Sequence, residues 1–269
     1  MARIARMALA TALVTTNSIA FGADGLTTLS VGADSSTGKY GQDQSTHIFF
    51  VPISGKYEAG PWTLKLLVPY IRITGPGNVI GAGDSRITLP GKVIGGTTLP
   101  PGVGAARRTE VGLGDVVASA FYNVFDERSA PIGLDLGVKI KFATADDSKG
   151  LGTGKNDYAW QADFFKAIGA FTAFGTIGYR WYGDPAGIDL RNVPYAAVGA
   201  SYRVSQPTSV GFVYDWRNRI VQGGARVSEL TAYVSRKFSA DWKLQVYAVK
   251  GFTDGSPDFG GGLTLAYSF

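Results

Sequence analysis

From about residue 25 onward, apolar and polar positions alternate with a period of two, which predicts strands carrying different chemistry on their two faces. The clearest case runs from Ile132 to Phe142. Ile132, Leu134, Leu136, Val138, Ile140 and Phe142 fall on one face, with Gly133, Asp135, Gly137, Lys139 and Lys141 on the other. In the same way Phe171, Ala173, Gly175, Ile177, Tyr179 and Trp181 oppose Thr172, Phe174, Thr176, Gly178, Arg180 and Tyr182. Twelve such segments follow one another, near 27–36, 46–58, 61–73, 110–125, 131–144, 157–167, 170–183, 194–205, 208–219, 228–239, 242–252 and 258–269. Most are long enough to cross a bilayer when tilted, since a membrane strand needs about 9–11 residues. The mean strand of a soluble protein is nearer six. The second and sixth segments alternate less cleanly, which leaves a ten-strand count open.

The links alternate too. Those at Glu58–Gly60, Asp126–Ala130, Ile168–Gly169, Gln206–Pro207 and Ala240–Asp241 are short. The intervening ones, Thr37–Ser45, Thr74–Thr109, Ala145–Asn156, Asp184–Val193, Arg219–Val227 and Thr253–Pro257, are longer. Short periplasmic turns and long outside loops define a transmembrane barrel, and an even strand number returns both chain ends to one side. The pattern predicts an all-β fold: a transmembrane antiparallel β-barrel of 12 strands. The longest link, with Gly75-Pro76-Gly77, Pro90-Gly91 and Pro100-Pro101-Gly102 around the apolar pairs Val79-Ile80 and Val93-Ile94, is an extracellular loop expected to fold inward. Arg86, Lys92, Arg107 and Arg108 are its constriction candidates.

The first 22 residues read differently. Arg3 and Arg6, the apolar run Met7–Val14, and Ala20-Phe21-Gly22 before Ala23 describe a secretory signal peptide over 1–22, leaving 23–269 as the barrel. Removing its two arginines and no acids lowers the formal net charge from +5 to +3. That balance is too mild to suggest nucleic acid. After Ala23 no apolar stretch approaches the roughly 20 residues of a membrane helix. With no cysteine, disulfide scaffolds and thiolate metal sites are excluded. Few charges and many glycines and aromatics fit a membrane β protein. All five tryptophans stand near segment ends, as interfacial girdles require.

Charges alternating with apolar residues belong on the lumen side, because isolated charges facing lipid are costly. The polar parity assigns to the pore lining the acids Asp115, Asp135, Asp163, Asp215 and Glu229. It likewise assigns the bases Lys65, Lys139, Lys141, Arg180, Arg203, Arg217, Lys237 and Lys243. Such a set can brace the interior by ion pairing, provide a mildly positive aqueous path, or do both.

No catalytic set emerges. The one histidine, His47, has Asp43 and Ser45 near it in sequence, but adjacent strand residues point to opposite faces, so it is read as a rim residue. Gly150–Asn156 lacks the spacing of a phosphate loop, and Gly112-Leu113-Gly114-Asp115 opens a strand rather than a helix. No metal-ligand spacing is visible, and no cofactor is expected.

The sequence resembles the outer-membrane channel family named for the meta-pathway of phenol degradation. The resembling stretches are Val68-Pro69-Tyr70 with Thr74–Gly77, Gly112–Val116, and Gly152–Tyr158, and the chain-wide layout from signal peptide to terminal Phe269 is similar too. The terminal Tyr267-Ser268-Phe269 resembles the aromatic-ended final strand of bacterial outer-membrane proteins in general. The resemblance implies a twelve-stranded, monomeric diffusion channel of the bacterial outer membrane, linked to the breakdown of aromatic compounds; with the mildly positive lumen, the expected solutes are small organic anions or aromatic compounds. Its expected partners are outer-membrane lipids and lipopolysaccharide, the outer-membrane assembly machinery and small-molecule solutes. A lipid-modifying barrel enzyme and a structural barrel with a plugged lumen are the alternatives.

Overall fold

The computed structural model describes residues 25–89, 92–94, 97–99, 107–127 and 130–269. The leader expected over 1–22 lies outside the described residues. In chain order the strands are β1 (Leu26–Gly38), β2 (Thr46–Ala59), β3 (Trp62–Gly75), β4 (Val79–Ala82), β5 (Ser85–Thr88), β6 (Lys92–Ile94), β7 (Thr97–Leu99), β8 (Arg108–Leu113) and β9 (Val117–Phe125). They continue as β10 (Gly133–Lys141), β11 (Asp157–Ile168), β12 (Phe171–Trp181), β13 (Val193–Arg203), β14 (Thr208–Arg217), β15 (Val227–Lys237), β16 (Trp242–Gly251) and β17 (Phe259–Ser268).

In the main sheet β1–β2–β3 and β9 through β17 pair antiparallel in chain order, and β1 pairs with β17 from Thr28↔Ser268 to Thr37↔Phe259. That last pairing closes the sheet into a barrel. Strand β3 pairs with β8 at its outer half and β9 at its inner half, so β8 and β9 form one interrupted stave and the barrel has twelve. The interruption falls at Gly114-Asp115-Val116. A Cβ at Gly114 would crowd Ile71 and Pro69, whose carbonyl accepts the Gly114 N–H at 2.8 Å. The second segment alternates poorly because prolines stand opposite each other in Pro52↔Pro69. Without N–H groups they leave the ladder short of donors, and the β1–β2 pairing skips from Val31↔Ile53 to Asp34↔Phe50.

Burial is inverted relative to a soluble protein. Leu136 and Val138 are 47% and 56% exposed, whereas Asp135 and Lys139 on either side of them are 1% and 4% exposed. Water-soluble folds bury the aliphatic set and expose the charges. Here the exposed apolar side chains form an outer band suited to lipid. Aromatic rings rim that band. Trp62–Tyr122, Trp242–Tyr267 and Phe171–Tyr202 pair at 4.7–4.9 Å at the short-link end, and Tyr179–Trp181 at 5.2 Å at the long-link end.

The interior stays open through a repeated glycine–aromatic pairing. Gly133↔Phe165, Gly137↔Phe121, Gly178↔Tyr195, Gly199↔Phe174 and Gly211↔Tyr233 are directly opposite across neighbouring strands. A Cβ at any of these glycines would run into the partner ring. The missing side chain lets each ring lie along the wall.

A sheet with no free edge resists detergent until heated. Unboiled and boiled protein should therefore migrate differently on a denaturing gel. Equal mobility of a membrane-extracted sample would contradict the closed barrel.

Candidate channel lumen

The long link predicted as loop contains ordered strand. Hairpin β4–β5 turns through Gly83-Asp84, with Gly83 at φ +65°, the left-handed conformation expected at the first position of a two-residue II′ link. Its apolar side chains Ile80, Ala82, Ile87 and Leu89 pack on Tyr182, Leu190, Val193 and Ile220 from the outer ends of β12–β14 and their loops.

This packing delivers the polar turn to the interior side chains. Arg180 Nη2 donates to both Asp84 oxygens at 2.9 and 3.1 Å, while Nη1 donates to Ser85 Oγ at 2.9 Å. Lys139 Nζ lies 3.7 Å from Asp84. Burial alone would raise the Asp84 carboxyl, but the Arg180 and Lys139 cations outweigh it and hold the group below the usual carboxylate range. On the other hairpin strand Arg86 forms an ion pair with Glu229, and Arg217 Nη2 donates to the Arg86 carbonyl at 2.8 Å. Four staves thus hold one short turn.

A second cluster braces the outer loops. Lys141 Nζ donates to Asp115 Oδ2 at 2.9 Å and Thr153 Oγ1 at 2.7 Å, and lies 3.3 Å from Asp157. Asp115 Oδ1 also accepts the N–H groups of Thr144 and Ala145 at 3.1 and 3.0 Å. The break in the fourth stave is where this carboxylate turns to cap the loop above β10.

Beside the hairpin lies a cavity of about 270 Å³. Ile48, Phe50, Ile71 and Ile73 form one apolar wall, while Phe174, Val213 and Tyr247 face it from other staves. Charged side chains on its lining are Asp34, Asp84, Arg86, Lys139, Arg180, Asp215, Arg217 and Glu229. Apolar walls beside converging charged groups suit a small organic solute with a polar end.

The other expected residues are distributed as follows. Lys65 Nζ stands 4.8 Å over the Phe121 ring. Asp135 accepts from Asn123, and Asp163 accepts from Gln161 and Thr176. Lys237 and Lys243 face each other across β15–β16. Arg203 is exposed at the short-link end and donates to the Gly169 carbonyl. Arg107 and Arg108 are exposed at the opposite rim, bonded to the Ser45 carbonyl and Glu110, so the structure does not bring them to Arg86. Lys92 opens β6 and is described in its backbone alone. His47 is exposed, with Thr37 and Thr74 as its cross-strand neighbours.

Parity missed Asp34, Lys56, Asp84 and Tyr247. A signal for Asp84 existed in the Gly-Asp pair between two short apolar runs, a hairpin link. Lys56 was obscured by the Pro52 irregularity upstream.

The family model described as the MetA pathway of phenol degradation matches residues 29–269. The chain belongs to that family. As an outer-membrane β-barrel of this family it is similar in fold to the crystal structure of an outer membrane channel from Pseudomonas putida F1. That match has 18% identity, 93% coverage of this chain, 97% of the other and a TM-score of 0.63. It is also similar to the KdgM porin, at 11% identity, with 90% and 99% of the two chains covered and a TM-score of 0.51. No curated protein matches the chain significantly in sequence.

The brace yields a direct test. Lys141→Met leaves two buried carboxylates without their cation, a loss on the order of 3–5 kcal/mol. Its urea midpoint in detergent should fall accordingly. Adding Asp115→Asn and Asp157→Asn, which removes the stranded charges, should recover part of the loss.

Proposed function

We propose that this family member is a channel through which small organic molecules, organic anions or aromatic compounds, diffuse passively across the outer membrane into the periplasm. The carrying observation is the cavity beside β4–β5, which combines apolar walls with charged groups inside a closed barrel. The P. putida relative in fold is itself described as an outer membrane channel, and this supports the same reading. The channel works as a monomer, inserted by the outer-membrane assembly machinery after loss of residues 1–22. It is not an enzyme, and exposed His47 serves at the rim.

In this reading the hairpin lies inward across the lumen, with the pairs Asp84–Arg180 and Arg86–Glu229 keeping it there. Interior charge sets which solutes pass, because a narrow pore keeps ions within the roughly 8 Å range of each fixed charge.

Planar-bilayer recording tests both parts. The wild-type protein should conduct, and deleting residues 79–89 with a Gly-Ser closure should raise the single-channel conductance. Equal conductance in an assembled deletion variant would show that the hairpin is not the constriction. A silent wild-type barrel would favour the plugged structural reading.

A further inference from the structure

The short-link half of the interior contains two like-charge pairs. Lys56 stands directly opposite Lys65 across β2–β3, and Lys237 directly opposite Lys243 across β15–β16. Like charges in such positions repel at about 4.5–5.5 Å between Cβ atoms and weaken the sheet. Compensation is uneven. Glu58 lies 2.7 Å from Lys56, and Asp163 acts on Lys65. The residue directly opposite Lys243 is itself a cation, Lys237.

The wall around Lys243 is equally unsatisfied. Lys243, Gln245 and Thr264 are 8%, 1% and 3% exposed. Gln245 lies two residues along the same face from Lys243 and directly opposite Thr264 on β17. Lys243 Nζ, both Gln245 amide atoms and Thr264 Oγ1 have no hydrogen-bond partner among the described residues. Buried polar atoms in folded proteins are nearly always paired, so a cluster of orphans on one wall points to something that fills it.

We propose that this half of the lumen is a binding site for a small organic carboxylate, with its acid group held by Lys243 and a further oxygen held by Gln245 and Thr264. The ammonium group offers several donors and no acceptor, which suits a carboxylate. The amide and hydroxyl both donate and accept, which suits a hydroxyl group on the same solute. The buried cluster that includes Phe174 and Tyr233 gives an apolar part of the solute a surface. The site rests on the channel reading and places the solute on the periplasmic side of the hairpin.

The test uses para-hydroxybenzoate and its neutral counterpart para-hydroxybenzyl alcohol, added from the periplasmic side to wild-type channels carrying a chloride current. The acid should interrupt the current and the alcohol should not. Lys243→Gln should raise the half-blocking concentration about tenfold, the usual scale for losing a charged hydrogen bond. Lys250→Gln should leave it unchanged, since Lys250 sits over the Phe259 ring at 3.9 Å, outside the site. Equal block by acid and alcohol, or block unmoved by Lys243→Gln in a heat-modifiable barrel, overturns the site and leaves the channel reading standing. A wild-type barrel without current overturns the channel reading, and calorimetric titration of the detergent-solubilised protein with the acid then decides the site alone. Heat of binding lost in Lys243→Gln supports it, and no heat refutes it.

Discussion

Every backbone amide that crosses the hydrocarbon must find its hydrogen-bond partner on a neighbouring strand, because no water is there to replace it. The pairing of β1 with β17 meets that demand for the two strands that would otherwise be edges. It runs to the last residue: Phe269 N–H donates to the Thr27 carbonyl at 2.9 Å, and Thr27 N–H donates back at 3.1 Å. Closure then imposes everything downstream. A closed sheet has one outside and one inside, so each strand's two-residue period must place its apolar set against lipid and its polar set within.

Charges gathered inside a barrel cannot all be left to solvent, and the protein deals with them in two ways. At the long-link end acids and bases are matched closely. Lys141 is shared between Asp115 and Asp157, and Arg180 and Lys139 converge on Asp84. Such pairs offset the cost of removing each ion from water only because the geometry supplies further hydrogen bonds. At the short-link end lysine stands opposite lysine in two places, and Lys243, Gln245 and Thr264 have buried polar atoms without a hydrogen-bond partner among the described residues. The long-link pairs tie the hairpin and the outer loops to the wall.

Size works alongside charge. The glycines opposite Phe165, Phe121, Tyr195, Phe174 and Tyr233 let large rings lie against the wall instead of across the lumen. Between the rings and the β4–β5 hairpin a cavity remains, apolar on its walls and charged around its edge.

Strand positions, strand faces and the alternation of short and long links were all legible in the sequence, because each is a local consequence of period two. Twelve segments became twelve staves, and Asp135, Lys139, Lys141, Asp163 and Arg180 are all buried on the polar face that parity assigns to them. Where a strand departs from the period, as around Pro52 or at the break before Val117, local pattern could not place Lys56 or show what Asp115 binds. The hairpin was less legible still. Asp84 and Arg180 are distant in the chain, and their meeting depends on Ile80, Ile87 and Leu89 finding Leu190 and Ile220 across the barrel mouth. The alternation of side chains decides which face a residue takes. Which residue it meets across the lumen is decided by closure and loop packing, since those bring together positions that no local period relates.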